Sequence, residues 1–233
     1  MTNTWSAAWQ AWVEAGGAVA GVNSRGGGEF GRAWYQAGIR DHKQNVFDDH
    51  IGVLEDLISR GDATPQTLAV NGRSNGGLLV GALLTQRPDL MAAAVPEVGV
   101  LDLLRFHKFT SGAAWASDYG NPDDPHDFEV ELAYSPLHNV REGVDHPAVL
   151  VMTGDHDDRV VPAHSHKFTA TLQHAQGGHA PVDGQGRVRP VLTRVEASTG
   201  HGAGRPHSMV VDALADKLAF IARHTGMVPP SRS

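Results

Sequence analysis

A serine framed by glycines, Gly72-Arg73-Ser74-Asn75-Gly76, is the pattern in this chain that most directly indicates chemistry. It follows the apolar run Thr67–Val70 and precedes Leu78 and further apolar residues, so a buried strand should lead into a helix at the serine. Such a tight turn leaves little room for side chains at positions 72 and 76, and the following helix directs its N–H groups toward developing negative charge. We predict that Ser74 is a nucleophile and that the backbone N–H of Asn75 binds the oxyanion; the alternative is a capping serine in an ordinary turn.

A nucleophilic serine needs a base, and the base needs an acid that holds its tautomer. The apolar run Ala148–Met152 leads into an acidic turn, Asp155–Asp158, and the run Val191–Val195 leads into a glycine-flanked His201. This order of serine, acid and histidine is the order found in α/β-hydrolases. Spacing alone does not decide which acid pairs with His201, and a solvated turn and a surface histidine are the alternatives.

The elements that must position these residues alternate between strand and helix patterns, which predicts an α/β fold with a mainly parallel sheet and helices on both faces. The strand candidates are short apolar runs, typical of strands buried on both faces: Ala18–Val22, Leu68–Asn71, Ala92–Val95, Ala148–Met152 and Val191–Val195. Helical spacing of apolar residues marks four helices, beginning near Trp5, Phe47, Leu78 and Met209. We predict one domain over residues 1–233, a long excursion over Ser111–Asn139 and an exposed hairpin or loop over Gly177–Arg189.

Composition excludes several functional classes. A net charge of −7 argues against a general nucleic-acid partner, and no apolar run reaches the ~20 residues that span a membrane. The start of the chain does not resemble a signal peptide, so we predict a cytoplasmic location. The absence of cysteine excludes disulfides and thiolate metal sites. The close histidine pairs His164/His166 and His174/His179 lack a carboxylate partner pattern, so we predict solvated histidines and neither metal nor other cofactor.

Beyond these local patterns, the sequence resembles the catalytic domain of the prolyl oligopeptidase family along nearly its whole length. The stretches that carry the resemblance are Asn23–Gly31, Lys43–Asp49, Ser74–Leu79, Gln86–Leu90, Asp118–Gly120, Tyr134–Pro136, Asp157–Pro162 and His201–Gly204. The resemblance implies an α/β-hydrolase fold and a serine endopeptidase that cleaves short peptides after proline. The family's nucleophile, acid and base fall on Ser74, Asp157 and His201.

The resemblance also implies a substrate pocket. The family's proline-stacking tryptophan matches Trp115, its substrate-backbone arginine matches Arg159, and its apolar pocket lining matches Val100, Tyr119 and Val160. An aromatic face suits a flat, apolar proline ring, and Arg159 would give a charge-assisted bond to a peptide carbonyl. The alternatives are a buried packing role for Trp115 and an ion pair between Arg159 and the neighbouring acids. Asn75 together with Trp115 favours the prolyl branch of the family.

The sequence departs from the family pattern both at single residues and in whole segments. Arg73 stands where the family normally has glycine, and Thr199 replaces the usual alanine. The resemblance further implies a β-propeller and an early strand whose tyrosine is the second oxyanion donor, and neither pattern is found in these 233 residues. We therefore expect an α/β-hydrolase domain incomplete at its N-terminal side. The alternatives are another α/β-hydrolase activity, such as an esterase or a peptidase of different specificity, and an impaired fragment that needs the missing propeller or N-terminal segment.

Overall fold

A four-stranded parallel sheet forms the centre of the molecule, with strand order β1-β2-β3-β4. The computed structural model describes residues 5–177, 181–184, 186–202 and 204–228. The strands are β1 Ala69–Arg73, β2 Ala93–Glu97, β3 Ala148–Gly154 and β4 Val191–Glu196. The α-helices are α1 Ala7–Glu14, α2 Arg32–Gln36, α3 Gln44–Ser59, α4 Asn75–Gln86, α5 Pro125–Tyr134, α6 Ala163–Ala175 and α7 His207–Thr225. The predicted α/β class and four of the five predicted strands are confirmed.

Helices cover both faces of the sheet, as predicted, because alternate strand residues point to opposite sides. One face packs against α3, α4 and α6, and its buried residues include Ala94, Val149, Val151, Leu54, Leu83 and Phe168. The other face packs against α7, with Trp12 of α1 at its margin, and its buried residues are Val95, Leu150, Met152, Ala213 and Ile221. Every residue of β3 is buried, whereas Leu192 and Val195 of β4 are about half exposed. Burial on both faces therefore holds for the central strands and is wrong for the edge strand β4.

The predicted strand Ala18–Val22 is wrong. These residues have no regular secondary structure, and Val19 is 46% exposed. A strand requires a neighbour that completes its hydrogen bonds, and the described part of β1 pairs only with β2. The apolar, β-branched composition of the segment therefore indicated a propensity that no partner strand satisfies here.

The two stretches predicted to be irregular differ in how much regular secondary structure they contain. Residues 111–139 contain short 3-10 helices and α5, so the predicted excursion has much regular structure. In the second stretch, Val182 and Val188 form an isolated antiparallel bridge, consistent with a hairpin, while residues 178–180 and 185 lie outside the described part. No helix of the described residues combines the length and the apolar character needed to cross a bilayer.

Candidate active site

Ser74 occupies a strained turn between β1 and α4. Its backbone has φ 59° and ψ −117°, outside the regions that L-residues normally adopt, and its N–H donates to the carbonyl of Glu97 at 2.9 Å. Strain of this kind persists only where the surroundings enforce it, and it is concentrated at functional sites. The side chain is partly exposed at the carboxyl end of the sheet, where open α/β folds bind ligands.

The glycines around the serine are needed for reasons that the sequence only partly indicated. A Cβ on Gly72 would lie 2.7 Å from the carbonyl carbon of Gly76, so the predicted crowding at Gly72 is confirmed. At Gly76 itself a Cβ would meet no atom within 4 Å, so the same argument is wrong there. The turn uses the backbone of Gly76, not the absence of its side chain. The tight position is Gly77, where a Cβ would lie 2.6 Å from the Cα of Gly99 and 2.7 Å from the carbonyl oxygen of Glu97.

Asp157 and His201 are in direct contact. His201 Nδ1 lies 2.7 Å from Asp157 Oδ2, and the carboxylate is fully buried. The other oxygen, Oδ1, accepts the backbone N–H groups of Arg159 and Val160 at 3.0 and 2.9 Å. Because both carboxylate oxygens are occupied, the orientation of Asp157 is fixed, and a fixed acid holds its imidazole in one orientation.

The structure separates the three acids that spacing left open. Asp155 accepts hydrogen bonds from His156 and from the Thr199 N–H at 3.1 Å. The bond from His156, followed by the backbone bonds from Ser198 and Thr199, lowers the pKa of Asp155 to about 2. It thus fastens the loop that carries His201 without touching the ring of His201. Asp158 is exposed. Within the described residues, no hydrogen bond joins His201 to the Ser74 hydroxyl, and loose contacts of this kind commonly tighten only when substrate binds.

Asn75, the first residue of α4, is held through its side chain. Its Oδ1 accepts the ammonium of Lys43 at 3.2 Å and the hydroxyl of Tyr119 at 2.9 Å. Its backbone N–H is one of the orphan donors at the helix start and donates to no group among the described residues. Burial lowers the pKa of Lys43 to about 8. Sequence reasoning missed Lys43 as a site residue; its only signal was its place in the run Lys43–Asp49 that carries the resemblance.

The residues assigned to the substrate pocket lie together. Val100, Tyr119 and Val160 are buried in one apolar cluster, and Trp115 packs against it while remaining partly exposed. The Trp115 ring lies nearly parallel to that of Phe106, with the planes at 9° and the centroids 6.3 Å apart. Phe106, which the sequence interpretation did not assign to the pocket, therefore stacks against the tryptophan ring.

Within the described residues, Arg159 does not form the ion pair with the neighbouring acids that was the alternative to substrate binding. The residue is exposed, and its guanidinium forms no ion pair within the described part of the chain, although two acids precede it in sequence. Its backbone N–H is the group that contacts Asp157. The side chain is therefore free to bind another group.

Arg73 lines a charged opening whose lining includes none of the residues assigned to the substrate pocket. Its guanidinium donates to the carbonyl oxygen of His201 and lies 4.0 Å from the carboxylate of Glu97. Gly202, with φ +129°, leaves the space that the guanidinium fills, since a Cβ there would collide with it. An opening of about 390 Å³ lies on this side, and its lining includes Arg73, Glu97, His201, Arg205 and Lys217.

Histidines and carboxylates outside the site give little support for a metal. Asp41, His126 and Asp127 bring one ligand atom each within 4.8 Å of one another at the surface. However, the carboxylate of Asp127 already pairs with Arg40 at 3.0 Å and accepts the N–H of Asn121.

The predicted solvation of the paired histidines is wrong for His164, which is buried with Nδ1 accepting the N–H of Asp102. His179 lies outside the described residues.

Known proteins share this arrangement of elements. The prolyl endopeptidase of Elizabethkingia miricola is 50% identical over 217 residues, which are 93% of this chain and 30% of that protein. The prolyl endopeptidase of Dictyostelium discoideum is 48% identical over 87% of this chain and 26% of its own length. Among solved structures, one from a study of two prolyl endopeptidases has a TM-score of 0.89 and 49% identity, covering 100% of this chain and 32% of that one. Prolyl oligopeptidase B from Galerina marginata, bound to a 35mer hydrolysis and macrocyclization substrate, has a TM-score of 0.80 and 45% identity.

These matches extend over most of the chain and a minor part of each relative. The chain spans about 30% of the length of the curated relatives it matches. The fold agrees with the α/β-hydrolase domain expected from the sequence. The profile of the prolyl oligopeptidase family matches residues 3–228, and the chain belongs to that family.

Proposed function

We propose that this chain is the catalytic part of a serine endopeptidase that hydrolyses short peptides on the carboxyl side of proline. The proposal is supported chiefly by the buried contact between Asp157 and His201, together with the strained turn at Ser74, whose preceding residue Arg73 donates to the carbonyl of His201. Solvated turns and surface loops have no need of a fully buried carboxylate whose oxygens are all engaged. The arrangement fits nucleophilic catalysis by a serine with an oriented base.

In the proposed reaction, the Ser74 hydroxyl oxygen attacks the carbonyl carbon of the proline residue, and His201 Nε2 takes the hydroxyl proton. The tetrahedral oxyanion accepts the N–H of Asn75, which has no partner among the described residues. The C–N bond then breaks, His201 returns the proton to the leaving amine, and an acyl ester remains on Ser74. Water, deprotonated by His201, attacks that ester; the bond from the acyl carbon to the Ser74 oxygen breaks, and His201 returns the proton to that oxygen, which releases the carboxylic acid and restores the serine hydroxyl.

We propose the pocket around Trp115 as the binding site for the proline ring. Its apolar lining by Val100, Tyr119 and Val160 favours a ring that lacks an N–H, and the exposed guanidinium of Arg159 suits a peptide carbonyl. A β-propeller and an N-terminal segment, implied by the resemblance, remain proposed partners of this domain. The cytoplasmic location stays a prediction.

A fluorophosphonate probe tests the nucleophile directly. We expect wild-type protein to be labelled on one residue, and Ser74→Ala to remain unlabelled although folded by circular dichroism. Paired chromogenic peptides that end in a prolyl or an alanyl amide test the pocket, because only the prolyl ring benefits from Trp115. Equal cleavage of both peptides would favour another α/β-hydrolase activity, and no labelling of a folded wild-type chain would exclude the proposed function for this chain.

A further inference from the structure

Among the described residues, Lys43 is one of two lysines that are almost completely buried, and the two differ in what surrounds the ammonium. Lys217 pairs with the carboxylate of Glu97 at 2.7 Å. Lys43 is 3% exposed and, within the described part of the chain, forms no ion pair with any carboxylate. The charge of Asp118 acts on Lys43 only from beyond ion-pair distance. Burying a cation without a directly paired anion is costly unless its N–H groups are hydrogen-bonded.

Within the described residues, the one side-chain hydrogen bond of Lys43 goes to Asn75, the residue next to the proposed nucleophile. Its ammonium lies 3.2 Å from Asn75 Oδ1 and 5.2 Å from the centre of the Tyr119 ring, whose hydroxyl lies 2.9 Å from the same oxygen. An ammonium only donates, so the atom of the Asn75 amide that faces it must be the oxygen. The Tyr119 hydroxyl must then donate as well. Both contacts thus fix which way round the amide of Asn75 lies.

Fixing that amide also fixes the start of α4. Asn75 is an exposed residue, and neither its side-chain NH₂ nor its backbone N–H donates a hydrogen bond to another described residue. With Oδ1 bound by two buried side chains, the NH₂ group of this exposed residue remains available to another acceptor. Two donors of one residue are therefore left available at the turn.

We propose that Lys43 and Tyr119 form a clamp on Asn75 that positions its N–H groups toward the oxyanion formed on Ser74. Lys43 is a positioning residue in this arrangement, because it acts through Asn75 and does not touch substrate. The clamp rests on the proposed function of Ser74. It gives a role to a buried cation that forms no ion pair among the described residues and interacts with the charge of Asp118 only at longer range.

A double-mutant cycle on the full chain tests the clamp. The rate of fluorophosphonate labelling at pH 7 is measured for wild type, Lys43→Met, Asn75→Ala and the double variant, with thermal unfolding of each. Asn75→Ala keeps the backbone N–H and removes the side-chain amide that Lys43 and Tyr119 bind. We expect Lys43→Met to slow labelling by about 10- to 100-fold in the wild-type background, and by less than about 2-fold when Asn75 is alanine. Lys167→Met, which removes an ammonium paired with buried Asp102, is the control for lost stability and should label at nearly the wild-type rate.

The outcomes separate the clamp from the function on which it rests. Wild-type protein that is not labelled at Ser74 contradicts the proposed function. Ser74 labelling that is equally fast in Lys43→Met, or equally slowed by it with and without the Asn75 side chain, overturns the clamp. If Lys43→Met does not fold, Tyr119→Phe makes the same test by removing one oxygen: a slower rate that depends on the Asn75 side chain supports the clamp, and an unchanged rate overturns it.

Discussion

The two sequence neighbours of Ser74 face opposite environments. The side-chain oxygen of Asn75 contacts the buried side, where Lys43 and Tyr119 donate to it and the apolar cluster that contains Tyr119 packs against Trp115. Arg73 lines an opening whose charged groups are mostly paired and range from the nearly buried Lys217 to partly exposed arginines. The pairs on that side include Arg73–Glu97, Lys217–Glu97, Arg194–Glu196 and Arg205–Glu196.

The difference shows where each side should be sensitive. Charges on the buried side pay a large desolvation cost, so their protonation should respond to pH and affect stability. Apart from the nearly buried Lys217–Glu97 pair, charges on the opening side are partly screened by solvent and shared among several partners, so single substitutions of them should have small effects. Asp157 belongs to both sides: its carboxylate is buried beside Val160, and its partner His201 lines the opening.

The largest effect is therefore expected at Asp157. Asp157→Asn keeps the size of the side chain but removes the charge that orients His201, and a comparable change in a serine-histidine-aspartate triad lowers the rate by about 10,000-fold. We expect a loss of that order in the rate of fluorophosphonate labelling. Asp158→Asn is the matched control, because Asp158 is adjacent, exposed and carries the same charge. Similar losses in both variants would show that general negative charge, not the contact with His201, matters.

A stability effect is expected on the buried side at Glu131. Its carboxyl is fully buried, and neither oxygen has a hydrogen-bond partner among the described residues. Burial, and next the charge of Asp127, raises its pKa from 4.5 to about 8. Between these values the unfolded chain has lost a proton that the folded chain keeps, so the free energy of unfolding should fall as pH rises.

Glu131→Gln tests this pH dependence. The variant keeps the shape without the ionisation, so we expect it to be more stable than wild type at pH 7.5 by roughly 2–4 kcal/mol, with the difference shrinking toward pH 5. Urea unfolding at both pH values measures it. Glu129→Gln, on the exposed side of the same helix, is the control and should shift little at either pH. A difference at Glu131 that does not vary with pH would mean that the carboxyl is charged or solvated in the folded protein.

The features that the sequence predicted are local in the chain, whereas those that it missed depend on contacts formed only in the fold. The buried strands and the serine turn were predictable because local apolar runs and glycines are read directly from the chain, and the resemblance added the pocket residues. The role of Gly77 was not, because it depends on Gly99, which approaches it only after folding. The failed strand Ala18–Val22 has the same cause: propensity is local, whereas pairing needs a neighbour from elsewhere. Lys43 was missed because a lysine gives no signal of burial in a sequence.

Arg73 supplies the test of the opening side, with the smallest expected effect. Its guanidinium holds the backbone carbonyl of His201 but is 38% exposed, so solvent replaces much of the contact when it is removed. We expect Arg73→Ala to slow labelling by about 2- to 5-fold and to lower the free energy of unfolding by about 0.5–1 kcal/mol.

Arg205→Ala makes the same change of charge in the same opening, where Arg205 lies 3.7 Å from Glu196. Because its ion pair is with Glu196, it should slow labelling less than Arg73→Ala. Equal effects of the two substitutions would assign the influence of Arg73 to the field of the charged opening, and the contact with the His201 carbonyl would then contribute nothing to the placement of the base.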